Sequence, residues 1–267
     1  MTTAPAPTAT TLRVTQSRVV RSEWTKFRSL RSTISTLGIA VVLMVGLAAL
    51  FSAITADQPG GFNPGETAVT TSLGSAIFAQ LAVGVLGVLM ISGEYSTGSI
   101  RSSLTAVPRR LPVLWAKLAV FAGAVFGTML VASFLSFFVG QALLGRNDMS
   151  VGLSDPTVLR SIVGAALYLT VVGMTGLALG ALFRNTAAAI STVVVVFFVL
   201  PPLTLLLPAA WAAHFVQYLP SASGAMLFSG TFGVTDPLSP WTGFAVMCSY
   251  AIVLIGLAAW RLRRVDA

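Results

Sequence analysis

Six long apolar segments, uncharged at their centres, restrict this chain to one class of fold. Their approximate bounds are 34–56, 71–92, 116–142, 160–183, 187–208 and 241–260. Each reaches the roughly 20 residues that a helix needs to cross a bilayer. Lipid cannot satisfy open backbone groups, and the segments lack the alternation of barrel strands, so each segment must be helical. The sequence therefore predicts an all-α polytopic membrane protein whose transmembrane domain spans residues 34–260.

Composition and charge agree with a membrane protein. Charged residues make up 9% of the 267 residues and hydrophobic residues 55%, with a mean hydropathy of +0.88, whereas soluble domains are about 25% charged. The single cysteine, Cys248, excludes a disulfide within the chain and a metal site built from several cysteines. The net charge of +8 comes from residues that flank the apolar segments. It therefore indicates membrane topology, and we expect no nucleic-acid partner.

The basic residues also predict the orientation of the chain. The connections on one side hold only Arg146 and Arg160. The termini and the connections on the other side hold the rest: Arg13, Arg18, Arg21, Lys26, Arg28, Arg31, Arg101, Arg109, Arg110, Lys117, Arg184, Arg261, Arg263 and Arg264. The positive-inside rule then places both termini in the cytosol of a multi-pass protein.

The segments outside the spans have distinct compositions. Residues 1–12 are Pro, Ala and Thr without periodicity and predict a disordered cytosolic tail, and their lack of a basic start argues against a cleaved signal. Residues 13–33 predict an amphipathic helix in the membrane interface, and residues 261–267 a basic cytosolic tail. On this predicted interfacial helix, Trp24 and Phe27 share the apolar face and Arg28 projects elsewhere. Lys26 can pair with Glu23 on the helix surface. The alternative is a basic segment that only sets orientation.

The polar connection 93–117 is the strongest candidate for contact with a soluble partner. We expect Glu94 near a helix N-terminus, where the macrodipole favours a carboxylate, while Gly98 allows close backbone approach and Arg101 offers a planar set of donors. In the alternative interpretation, Glu94 and Arg101 pair with each other or with lipid headgroups.

Two features concern the membrane segments themselves. The pairs Gly123/Gly127 and Gly176/Gly180 are small-xxx-small patterns that permit close helix packing, within or between subunits. The fifth apolar segment ends at Pro201 and Pro202, and residues 209–240 are too apolar for a free loop. We expect short re-entrant or interfacial helices there, with a surface loop as the alternative.

The sequence lacks residues and motifs that several classes of function require. The only histidine, His214, lies in the predicted outer segment, so nothing resembles a Ser–His triad, and we expect neither an enzyme nor a metal site. No span centre carries the ionisable residues that mark ion paths in coupled carriers. The sequence G-x-x-x-x-G-K-[ST] is absent, so any driving ATPase is a separate chain that holds ATP and Mg²⁺. A membrane enzyme, a secondary carrier and an accessory or signalling protein stay as alternatives.

Two motifs carry a family resemblance. Residues 22–32 (SEWTKFRSLRS) before the first span, and the segment 93–101 (GEYSTGSIR) after the second, resemble the type-2 permeases of ATP-binding cassette (ABC) transporters, actinobacterial-like. The resemblance implies a bacterial plasma-membrane exporter subunit that assembles with two ATPase copies and a second permease chain, identical or related, amid membrane lipid. It also implies that Glu94, Gly98 and Arg101 contact the ATPase. The interfacial-helix residues lie beside that contact: Trp24, Lys26, Phe27 and Arg28. It identifies no substrate-binding residues.

Overall fold

The computed structural model describes residues 15–57, 64–96, 110–147, 149–206, 208, 215–229 and 237–264, and the regular secondary structure within them is all helical. Within them six helical segments are long and apolar enough to span a membrane. This confirms the predicted all-α polytopic fold with six spans. The predicted tail 1–12 and residues Gly98, Arg101 and His214 lie outside the described residues.

The chain begins with two consecutive helices. Helix α1 (Gln16–Ser29) ends at Leu30, whose backbone is extended, and α2 (Arg31–Ala56) forms the first span. The predicted interfacial segment 13–33 therefore breaks at Leu30. Helices α3 (Pro64–Leu73) and α4 (Ala76–Ser96) form the second span, and α5 (Arg110–Leu144) forms the third.

The second half contains the central helix and a broken span. Helix α6 (Pro156–Phe183) is the fourth span. Helix α7 (Thr186–Val194) continues as π-helix over Val195–Val199 and then as α8 (Leu200–Leu203), which contains the two prolines and ends the fifth span. The short helix α9 (Pro220–Ala225) precedes α10 (Pro240–Arg264), the sixth span. The predicted basic tail is helical as far as Arg264.

Local sequence explains how α6 starts and stops. Asp155 caps its N-terminus by accepting hydrogen bonds from the backbone N–H and the hydroxyl of Thr157, at 2.8 and 2.7 Å, and Pro156 occupies the first turn. At the other end Arg184 takes a left-handed conformation with φ 54°, and Asn185 caps α7 by accepting from the Ala188 N–H at 3.1 Å. The turn from α6 to α7 is therefore only two residues long.

Helix α6 lies at the centre of the bundle because glycines let its neighbours approach closely. A Cβ atom at Gly176 would overlap the backbone oxygen of Gly84 in α4, and one at Gly180 would lie 2.8 Å from the Ile91 side chain. Gly173 meets the ring of Phe121 in α5. The pair Gly176/Gly180 thus packs helices of one chain together, whereas a Cβ at Gly123 or Gly127 would contact nothing.

The segment around α9 is buried inside the bundle. Every residue from Ser221 to Phe228 is buried, and the Phe228 ring lies 5.2 Å from the ring of Tyr168 in α6. Tyr168 lies about 18 Å from the start of α6, more than half of a hydrocarbon core of about 30 Å. Irregular backbone at such depth is tolerated only where protein covers it, and here it is covered. Within residues 215–229 the re-entrant interpretation therefore fits better than a surface loop.

Candidate functional site

Four charged side chains from three helices meet at one end of the bundle. Glu23 and Lys26 come from α1, Glu94 from the last turn of α4, and Lys117 from the second turn of α5. We call these four residues the charge cluster. It joins the N-terminal helix to the two ends of the 97–109 connection, so it lies where the sequence predicts contact with a partner.

Helix α1 docks through a narrow face. Val19, Glu23 and Phe27 are buried at a spacing of four residues, whereas Arg28 is exposed and Trp24 is 48% exposed and stacks on Phe27 at 6.2 Å. The predicted apolar face therefore contacts protein through Phe27, and Glu23 shares that buried face. The Glu23–Lys26 pair forms as predicted, but only Lys26, whose side chain is 39% exposed, reaches the surface, while Glu23 is buried.

Four ion pairs connect the members of the charge cluster. Lys117 Nζ lies 2.6 Å from Glu23 Oε2 and 2.9 Å from Glu94 Oε1. Lys26 Nζ lies 2.8 Å from Glu23 Oε1 and 3.3 Å from Glu94 Oε1. Two carboxylates and two ammonium groups balance each other, and hydrogen-bonded charge pairs of this length are strong.

Because the side chains of the charge cluster are largely buried, their positive and negative charges must compensate each other. The side chains of Glu23 and Lys117 are 2% and 3% exposed, and that of Glu94 is 15% exposed. Burial acts to raise the pKa of Glu23, but the ammonium groups of Lys117 and Lys26 hold it below its ordinary value of 4.5. Burial likewise acts to lower the pKa of Lys26, and the carboxylates of Glu23 and Glu94 raise it above 10.5. Glu23 and Lys26 are therefore charged at neutral pH.

The structure corrects the predicted position of Glu94. It lies two residues before the end of α4 and not near a helix N-terminus, so the macrodipole opposes its charge. Lys26 and Lys117 supply the compensation. Both lysines contact Glu94, while Arg101, the expected alternative partner, lies outside the described residues.

The connection itself is shorter than predicted. Helix α4 extends to Ser96 and α5 begins at Arg110, so Lys117 belongs to the third span and not to a loop. From sequence, Lys117 was predicted to lie at the end of the partner-facing connection 93–117, without an assigned partner of its own. The signal for its role was its position inside an apolar segment, where a cation requires an anion from another helix.

Further contacts hold the same end of the bundle together. The guanidinium of Arg184 lies 5.3 Å from the ring centre of Tyr95, the neighbour of Glu94. Arg261, near the end of α10, donates a hydrogen bond to the backbone oxygen of Leu182. The Gln16 amide of α1 donates to the Pro112 oxygen of α5 at 3.1 Å. The N-terminal helix and the end of the last helix therefore lie at the same end of the bundle.

A second buried polar group lies within the spans. The Tyr168 hydroxyl of α6 donates to Gln80 Oε1 of α4, and Gln80 Nε2 donates at 3.2 Å to the backbone oxygen of Phe197. Phe197 belongs to the π-helical turn, whose altered backbone pairing Gln80 helps to satisfy. The sequence analysis did not identify this group, although a glutamine at the centre of an apolar segment could have indicated it.

These features define a six-span helical membrane protein with a cluster of buried charges at one end of its bundle. The family model for ABC-2 family transporter proteins matches residues 19–202, more than half of the chain, and the chain belongs to that family. The match covers most of α1, the whole charge cluster, the first four spans and all but the last residue of the fifth. This makes the chain a membrane permease subunit of an ABC transporter, a class that works with an ABC ATPase. No curated protein matches the chain.

Proposed function

We propose that this permease is driven by a separate ATPase subunit and exports its substrate from the cytosol. The observation that carries the proposal is the charge cluster, which fixes α1 to both helices that flank the 97–109 connection. A connection fixed on both sides can pass a movement of a bound partner directly to α4 and α5. Coupling also requires that the partner bind two states of the permease with different affinity.

The remaining parts of the proposal follow from the family. Two ATPase copies hold ATP and Mg²⁺, and a second permease chain, identical or related, completes the pore in a bacterial cytoplasmic membrane. This chain itself is not an enzyme and binds no cofactor. Both termini, and with them the charge cluster, face the cytosol. Gly98 and Arg101 lie within the connection that contacts the ATPase.

The test separates coupling from folding. The permease and its partner ATPase are reconstituted in liposomes, and permease-stimulated ATP hydrolysis is measured for Glu94→Gln and for Glu23→Gln/Lys117→Met. The double variant removes one carboxylate and one ammonium and leaves Lys26 facing Glu94 at 3.3 Å. We expect a loss of stimulation of about tenfold in each, the size expected for a lost charged hydrogen bond.

The matched control is Arg146→Ala. Arg146 is an exposed charge at the other end of the bundle, in the short 3₁₀ turn Gly145–Asn147. It should keep full stimulation. Full stimulation in both cluster variants, with normal insertion and stoichiometric ATPase binding, would refute the proposed coupling role. In inside-out vesicles an exporter moves its substrate into the vesicle. Movement out of the vesicle would refute export and would leave the coupling role untouched.

A further inference from the structure

A cavity between α4, α6, the π-helical turn and α9 is lined almost entirely by apolar groups. Its volume is about 360 Å³, within the range of pockets that hold small molecules. Gln80 and Tyr168 lie at its buried base, and Phe78, 40% exposed, and exposed Pro202 lie at its rim. The cavity therefore leads from the outside of the bundle inward to a few polar groups.

One polar side chain in the cavity lining has no hydrogen-bond partner among the described residues. Ser221 is 7% exposed, and its hydroxyl is buried without a hydrogen bond among the described residues. The other polar groups of the lining are already used. Gln80 bonds Phe197 and Tyr168, and the Thr204 hydroxyl donates to the Pro201 oxygen at 2.6 Å. A buried hydroxyl without a partner is unfavourable, and a ligand carrying an acceptor would supply the missing hydrogen bond.

The chemistry of the lining limits the ligand. The described lining residues carry no charge, so an ionised group would lose its hydration without compensation. Phe197, Phe198, Ile77 and Pro201 offer rings and branched side chains to an apolar chain. The irregular π-helical turn and the two prolines open the space, because a regular helix would continue through it.

From this geometry we propose that the cavity binds one aliphatic chain of an ester-bearing amphiphile whose head group stays outside the cavity. The ester carbonyl accepts a hydrogen bond from the Ser221 hydroxyl, which turns toward the cavity by rotation about the Cα–Cβ bond. The chain can come from a bilayer phospholipid or from a free single-chain amphiphile. The site lies in the spans, away from the charge cluster. The proposal therefore does not depend on coupling to an ATPase, and it is tested on the permease alone.

The experiment is photolabelling of the purified full-length permease in nanodiscs. Two probes carry a diazirine in a twelve-carbon chain, one as a phospholipid and one as a fatty-acid methyl ester. Labelled residues are mapped by mass spectrometry. We expect saturable labelling of the lining residues by at least one probe. Labelling by the phospholipid alone identifies a bilayer lipid as the occupant, and labelling by the methyl ester alone identifies a free amphiphile.

Two variants test the site. Ala222→Phe fills the cavity from α9 and should abolish saturable labelling of the lining, while the control Gly256→Phe, on the exposed face of α10 where a Cβ contacts nothing, should retain it. Ser221→Ala changes little in volume. It should raise the half-saturating concentration of the ester probe about fivefold, and leave competition by plain dodecane unchanged.

Three outcomes would overturn the inference. One is labelling of the wild-type protein that is spread evenly over lipid-facing residues and does not saturate. Another is labelling of the lining that persists in a correctly folded Ala222→Phe variant. The third is an unchanged half-saturating concentration in Ser221→Ala, which would remove the assigned hydrogen bond. The wild-type map and the serine variant keep the test decisive if Ala222→Phe does not fold.

Discussion

At the scale of single residues, Lys117 decides whether the charge cluster is stable. It contacts both carboxylates, and its own side chain is only 3% exposed. Removing one member of a buried ion pair leaves the other charge without compensation, which costs more than removing both.

Lys117→Met should therefore destabilise the permease by about 3–5 kcal/mol, the cost of breaking a buried pair. Glu23→Gln/Lys117→Met should recover most of this loss, since it removes both charges. The measurement is thermal unfolding in detergent, followed by size-exclusion chromatography of heated samples. Equal stability of the single variant and the wild type would contradict this assignment.

The shifted pKa values of Glu23 and Lys26 predict how stability depends on pH. The pKa of Glu23 is lowered, so its contribution is complete above about pH 4.5 and is lost as the pH falls through the lower folded value. The pKa of Lys26 is raised, so its contribution is complete below about pH 10.5 and is lost above it. Unfolding temperatures of the wild type should exceed those of Glu23→Gln by a constant difference between these limits. A difference that disappears between pH 5 and 8 would argue against charged partners.

At the scale of elements, glycine positions distinguish inner from outer helix faces. Gly176 touches the backbone of α4, so Gly176→Ala forces α4 and α6 apart, whereas Gly123 of α5 has open space beside it. The added methyl group of Gly176→Ala overpacks this contact and should lower the free energy of unfolding by about 1–3 kcal/mol. Gly123→Ala should be neutral or stabilise the helix by up to about 1 kcal/mol, because alanine has the higher helix propensity.

Chemical denaturation in mixed micelles measures both variants under the same conditions. Equal effects of the two substitutions would show that Gly176 is not a close-contact position. If Gly123→Ala instead weakens subunit association while leaving the monomer stable, the outward face of α5 is in contact with another chain.

The spans could be predicted from sequence because each depends on a local property, the length of an apolar segment. The cluster could not, since Glu23, Glu94 and Lys117 are far apart in sequence and meet only when α1 folds back on α5. The same holds for Gln80, Tyr168 and Phe197, which three spans bring together. Lys26 and Glu94 were identified as site residues, but the reason for their importance lies in tertiary contacts.

At the scale of the whole molecule, burial is uneven. In the most apolar stretch of α6 83% of residues are buried, compared with 22% in α2 and 17% in the span formed by α7 and α8. The central helix is therefore held by protein, and the peripheral helices offer most of their surface to lipid or to another subunit.

Cysteine labelling tests the orientation of the whole bundle. In a Cys248→Ser background, Ser17→Cys in α1 and Ser154→Cys in the turn before α6 place one exposed thiol at each end. A membrane-impermeant maleimide added to intact cells should label position 154 and leave position 17 unlabelled until the membrane is opened. The opposite pattern would invert the topology that the basic residues predict.

The neutrality of the charge cluster has an electrical consequence. When a group with a net charge moves across a membrane, its electrical energy changes by about 2.3 kcal/mol per elementary charge for each 100 mV. Glu23, Glu94, Lys26 and Lys117 together carry no net charge, and when they move as one unit the membrane voltage does almost no work on them. The resting potential of the cell therefore does almost no work on a displacement of the charge cluster itself.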